Sequence, residues 1–195
     1  MTHFTHPENP RATTTSVFAL AFALVASTAC SSSSAPPRPV GGTVCDRCGA
    51  CEESRTVTSA NHVLGTIDYA DDPPTGGDHN PCWATWGVHT DVLPPENWVH
   101  NLEHGGIVFL YRSHTELGGD AGGVDGGTLS GIDALVQKLP RTLSTEYPPL
   151  PKRFALVSWG HRLVSDCIDL DAAQKFYTEH FNQGLEDIPD EPSCN

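Results

Sequence analysis

Six cysteines beyond residue 44, in a chain that begins with an export leader, limit the fold more than any other feature. They are Cys45, Cys48, Cys51, Cys82, Cys167 and Cys194. The leader has one positive residue, Arg11, ahead of the nine-residue apolar run Val17–Val25. That run is too short to span a bilayer and suits the hydrophobic region of a secretory signal. Ser27, Thr28 and Ala29 then precede Cys30 and resemble a lipoprotein processing site, although Ser27 stands where Leu is usual. Lipidation of Cys30 is the expectation, and plain cleavage after Ala29 is the alternative. A Ser/Pro-rich tether (SSSSAPPRPVGG, residues 31–42) follows. The expected division is a signal peptide at 1–29, a tether at 30–44 and one domain at 45–195, in a cell-envelope protein held to a membrane by its N-terminal lipid.

Export decides how the cysteines read. An even number in an oxidising compartment favours disulfides, whose pairing the sequence does not resolve. The CDRCGAC run lacks the fourth cysteine and proline of a cluster-binding ferredoxin motif. No second Cys or Cys/His pair follows at zinc-finger spacing either. All six cysteines are therefore expected to be structural staples. With 18 Gly and 16 Pro the domain should be rich in loops. The net charge of −13 argues against a nucleic-acid surface, because backbone phosphates would be repelled. No feature names a protein partner.

Periodicity gives an α+β domain with a small, mostly antiparallel sheet, two or three helices and long loops. His62–Tyr69 and the apolar runs Gly106–Arg112 and Phe154–Trp159 read as strands. Leu129, Ile132, Leu135, Val136 and Leu139 form a helical stripe ended by Pro140. Asp169 or Asp171 is placed to cap a last helix running to Phe181. Gly118–Gly127, six glycines in ten residues, reads as a loop.

Of ten histidines, four sit beside turns or strand junctions: His62, His79, His100 and His104. His100 and His104 lie in WVHNLEHGG. They share a face whether the segment is helical or extended, because four residues span about one helical turn or two strand repeats. A sharp PPTGGDH turn can bring His79 toward them, and His62 can complete three or four imidazole ligands. In this spacing Glu103 is expected to point elsewhere and orient a neighbouring group. His89, His114, His161 and His180 lack partners at good spacing and read as structural. Imidazole suits copper(II) first, by affinity order, and zinc second, and the single Met, Met1, leaves no thioether for Cu(I).

Two other functions compete. HNLEH matches the inverted zinc-peptidase pattern His-x-x-Glu-His, with Glu103 as general base, but Gly105-Gly106 and a strand follow where those enzymes continue a helix. Alternatively the histidines only brace the two loops of an extracytoplasmic interaction module.

From His62 to about Phe181 the chain resembles the bacterial family called domain of unknown function 3105. The likeness rests on His62-Val63, Tyr69, the PPTGGDH turn, Gly87, VHNLEHGG from Val99, Tyr111, ALVSWG from Ala155, and Asp171 with Phe176. The family pattern has Ser-Gly-Pro-His where Gly76-Gly77-Asp78-His79 stands, and Tyr where His89 stands. The resemblance implies an exported or membrane-tethered α+β domain. It also implies that His62, His79, His100 and His104 belong to a shared motif. It supplies no activity.

Overall fold

The computed structural model describes residues 45, 47–112, 129–187 and 193. The leader, Cys30, the tether, the insertion at 118–127 and Cys194 lie outside the described residues. Nine elements follow in chain order: β1 (Glu52–Ser54), β2 (Gly87–Val88), α1 (Pro95–Glu103), β3 (Ile107–Tyr111), α2 (Leu129–Lys138), β4 (Thr142–Glu146), β5 (Phe154–Ser158), β6 (His161–Ser165) and α3 (Leu170–His180). The six strands form one sheet in the order β1-β6-β5-β3-β4-β2. Pairs β1/β6, β6/β5 and β5/β3 are antiparallel, whereas β3/β4 and β4/β2 are parallel. This is the expected α+β domain with a mostly antiparallel sheet.

The central strand explains why its sequence is apolar without alternation. Ile107, Phe109 and Tyr111 face α2 and α3, packing with Ile132, Val136 and Phe176. Val108 and Leu110 point the other way, onto Trp98, Val99 and Leu102 of α1. A strand covered on both faces has no solvent side to make polar. The result is three layers, with α1 on one face and α2 and α3 on the other.

Helix α1 settles the conformation of HNLEHGG. Pro95 opens it at a position where the missing N–H costs nothing. Gly105 ends it at φ +71°, and a Cβ there would stand 2.6 Å from the Asn182 Cα. Only glycine fits both the left-handed turn and the close approach.

The strand expected at His62–Tyr69 is absent; a single bridge joins His62 to His79. Leu64 is 84% exposed, and Val63, Ile67 and Tyr69 are only half-buried. The Ile67 N–H donates to the Glu96 carboxylate of α1, at 2.9 Å, instead of to a neighbouring strand. Strands β1, β2, β4 and β6 carry no apolar run that marks them in the sequence, being short or rich in Ser, Thr and charged residues.

Disulfides join Cys45 to Cys51 and Cys48 to Cys167. Cys82 is also disulfide-bonded. Such bonds point to an oxidising, extracytoplasmic environment. The Cys48–Cys167 link ties the N-terminal segment to the start of α3, where Asp169 caps the helix by accepting from the N–H groups of Asp171 and Ala172. Arg47 donates to the same carboxylate from its backbone N–H at 2.7 Å and its Nε at 3.0 Å. Burial opposes ionisation of Asp169, but these donors outweigh it and hold the carboxyl at about 2. Among the described residues no helix is long and apolar enough to cross a membrane.

Candidate metal centre

Two loop segments and one helix meet at the outer side of α1. The Val63 N–H donates to the His79 carbonyl and the His79 N–H to the Asn61 carbonyl, at 2.8 and 3.0 Å. Asn61 adds backbone and side-chain bonds to Asp78 Oδ1. The PPTGGDH turn that delivers His79 passes close under Val57 and Trp159. A Cβ on Gly76 would meet Val57 Cγ2 at 2.8 Å. His62 and His79 are thus neighbours across a bridge, and His100 rises from α1 beneath them.

The three imidazoles form a nearly regular triangle. Ring centroids are 5.0 Å apart for His62–His79 and 4.7 Å for both His62–His100 and His79–His100. Glu103, one turn beyond His100 on the same helix face, completes the group. Its Oε2 lies 2.9 Å from His79 Nε2 and 3.6 Å from His62 Nε2. Spacing had suggested that Glu103 points away; instead its carboxylate stands among the rings, because residues 100 and 103 share a helix face as closely as 100 and 104 do.

Hydrogen bonds fix which nitrogens face the centre. His79 Nδ1 lies 2.7 Å from the Gly77 carbonyl, and His100 Nδ1 lies 2.8 Å from the Asn80 carbonyl. A carbonyl only accepts, so each Nδ1 carries a proton and each Nε2 faces inward, with a lone pair there when the ring is neutral. Both Nε2 atoms are buried; that of His100 lacks a hydrogen-bond partner, and that of His79 faces Glu103 Oε2 at 2.9 Å. Buried lone pairs left unsatisfied cost stability, which is why folded proteins rarely keep them without a ligand.

Electrostatics follows the same layout. Burial, reinforced by the neighbouring histidines, lowers the His100 pKa to about 4. Burial likewise holds His104 at about 4, against the pull of Glu103. At His79 burial also opposes protonation, but the Glu103 carboxylate and the Gly77 carbonyl prevail and raise its pKa. Glu103 shifts down, because His79 and the other rings outweigh the burial that opposes its ionisation.

His104 is completely buried and both its ring nitrogens lack partners. Its ring stacks on His100 with centroids 4.7 Å apart and meets the Trp83 ring edge-on at 4.3 Å. Its nitrogens group with Glu103 and Glu186, not with His62 and His79. Of the four histidines chosen on spacing, the fold therefore gathers three around Glu103 and puts the fourth directly behind them. His161 and His180, read as structural, come together with Glu52 elsewhere in the domain. His89 Nε2 lies 2.7 Å from the Thr85 carbonyl, and His114 is outside the described residues.

A family profile described as "Protein of unknown function (DUF3105)" matches residues 62–193, about two thirds of the chain. The chain belongs to this family. No curated protein and no solved structure matches it. The DUF3105 region contains His62, His79, His100, Glu103 and His104 together, whereas β1 and the CDRCGAC segment precede it. The histidine and acidic groups of this DUF3105 domain can hold a metal ion.

Proposed function

We propose that this DUF3105 protein is an exported metal-binding domain that holds one divalent transition-metal ion through His62, His79, His100 and Glu103. The carrying observation is the pair of Nε2 atoms on His79 and His100, each turned inward by an Nδ1–H bond to a carbonyl, gathered with His62 around the Glu103 carboxylate. Orientation of ligating imidazoles by such outer hydrogen bonds is the usual support of a metal site. Three imidazoles and one carboxylate suit copper(II) or zinc, with copper(II) favoured by the affinity order. The lone exposed ligand, His62 at 45% side-chain exposure, leaves one side of the centre open to solvent. That opening suits metal handling, or redox chemistry at copper.

A zinc peptidase would use His100 and His104 on a common ion with Glu103 free to act as base. Grouping of Glu103 with three histidines, and of His104 with Glu186, favours the binding function instead. We propose further that Cys30 carries a lipid and anchors the domain through the tether. An intact mass showing a mature chain that begins at Cys30 without acyl mass would reject the anchor.

Metal analysis after dialysis tests the site. The wild-type chain should keep an equivalent of copper or zinc that is lost in His79→Gln and in His100→Gln. Undiminished metal in both variants, or none in the wild type, overturns the assignment.

A further inference from the structure

We propose that Glu52, His161 and His180 form a second divalent-metal site, sharing no residue with the centre on α1. Strand pairing builds it. Ser54 lies opposite His161 in the β1/β6 ladder, and Glu52, two residues earlier, is the diagonal neighbour on the same face. Helix α3 packs over that face through Phe176 and brings His180 in its last turn. The His180 ring leans on Phe176 with centroids 4.6 Å apart and stacks on His161 at 4.2 Å.

The three ligand atoms converge on one point. Glu52 Oε1 lies 2.8 Å from His161 Nδ1 and 2.9 Å from His180 Nε2. His180 Nε2 is buried, and the carboxylate oxygen is the polar atom that it faces. Ser54 Oγ stands 3.3 Å from His161 Nδ1. Glu52 and His180 have side chains about one-tenth exposed, whereas His161 is one-third exposed. The set is therefore enclosed on two sides and reachable from the third. Two imidazoles and a carboxylate with a place left for water or a hydroxyl is the donor set of an open zinc site. The Glu52 carboxylate comes from outside the family-matched residues, on a strand that starts directly after Cys51 and is stapled by both described disulfides.

Zinc titration of the disulfide-intact full chain by calorimetry, with near-ultraviolet circular dichroism as a check of folding, tests the proposal. Wild type should bind two equivalents. The His161→Gln/His180→Gln chain should bind one, and so should the His79→Gln/His100→Gln chain. If His161→Gln/His180→Gln leaves the number bound by wild type unchanged, the second site is rejected and the cluster is an ion-pair network only. If wild type binds one equivalent and only His161→Gln/His180→Gln removes it, the second site stands and the centre on α1 falls. Should the His161→Gln/His180→Gln chain not fold, copper(II) on the His79→Gln/His100→Gln chain decides through its electron paramagnetic resonance spectrum. Hyperfine coupling to two imidazole nitrogens is expected, and coupling to none or to three overturns the proposal.

Discussion

Nε2 of His79 and Oε2 of Glu103 stand 2.9 Å apart, within hydrogen-bond reach. With the His79 proton committed to Gly77 through Nδ1, the facing atoms are both acceptors unless a proton or a cation lies between them. The raised pKa of His79 and the lowered pKa of Glu103 express the same need for positive charge at this point.

Glu103→Gln should remove that attraction. In the metal-free chain the His79 pKa should fall below its wild-type value, since burial then acts with less opposition. Nitrogen-detected NMR titration of the ring measures it. In the same variant metal affinity should drop at least about tenfold, as for a weakened ligand shell. An unchanged His79 titration would show that Glu103 does not govern the centre.

Acid should destabilise the metal-free domain. His100 and His104 titrate at about 4 when folded and near 6.5 when unfolded, so the unfolded chain binds more protons between those values. Their neutral forms contribute fully above pH 6.5, and the contribution is lost as pH falls toward 4. Each residue acting alone is worth on the order of 3 kcal/mol over that window. The raised pKa of His79 acts with the opposite sign, near and above the ordinary histidine range. Urea unfolding with a chelator at pH 7 and pH 5 should show the loss, and His100→Gln or His104→Gln should reduce it.

Asp169→Ala removes the cap of α3 and the anchor of Arg47 together. A loss of about 2 kcal/mol is expected, at the upper end for a helix cap, because the side chain is buried. Arg47→Ala should cost less, since Arg47 is nearly half exposed and such pairs are screened. Chemical denaturation of both variants checks the order.

Cys48→Ser/Cys167→Ser opens a link across 119 residues of chain. Long closed loops restrict the unfolded state most, so about 2–5 kcal/mol should be lost. Thiol titration of the unreduced, denatured wild type should find Cys45, Cys48, Cys51, Cys82 and Cys167 all unreactive. Free thiol at any of these positions would contradict the bonding described.

Much of this was legible in the sequence where burial is two-sided or a breaker stands alone. The β3 and β5 runs, the α2 stripe before Pro140 and the Asp169 cap all announce themselves. His62–Tyr69 misleads because its β-branched residues satisfy local preference while its backbone bonds to a helix side chain, which no periodicity records. Glu103 is missed for a related reason. Spacing weighs 100 against 104, but the position of the surrounding loops decides that 103 faces His79. Glu52, His161 and His180 lie on three separate elements, and the β1/β6 pairing and the packing of α3 through Phe176 bring them together.

Three members of the α1 centre are sealed in the domain, and His62 alone reaches water from an irregular loop. Release of a held ion would thus begin with the bond that solvent can compete for, while His79, His100 and Glu103 keep their grip. An incoming ligand from another molecule could occupy the vacated position before the remaining bonds yield. Handover would then proceed by stepwise exchange beginning at His62, the ligand that solvent reaches.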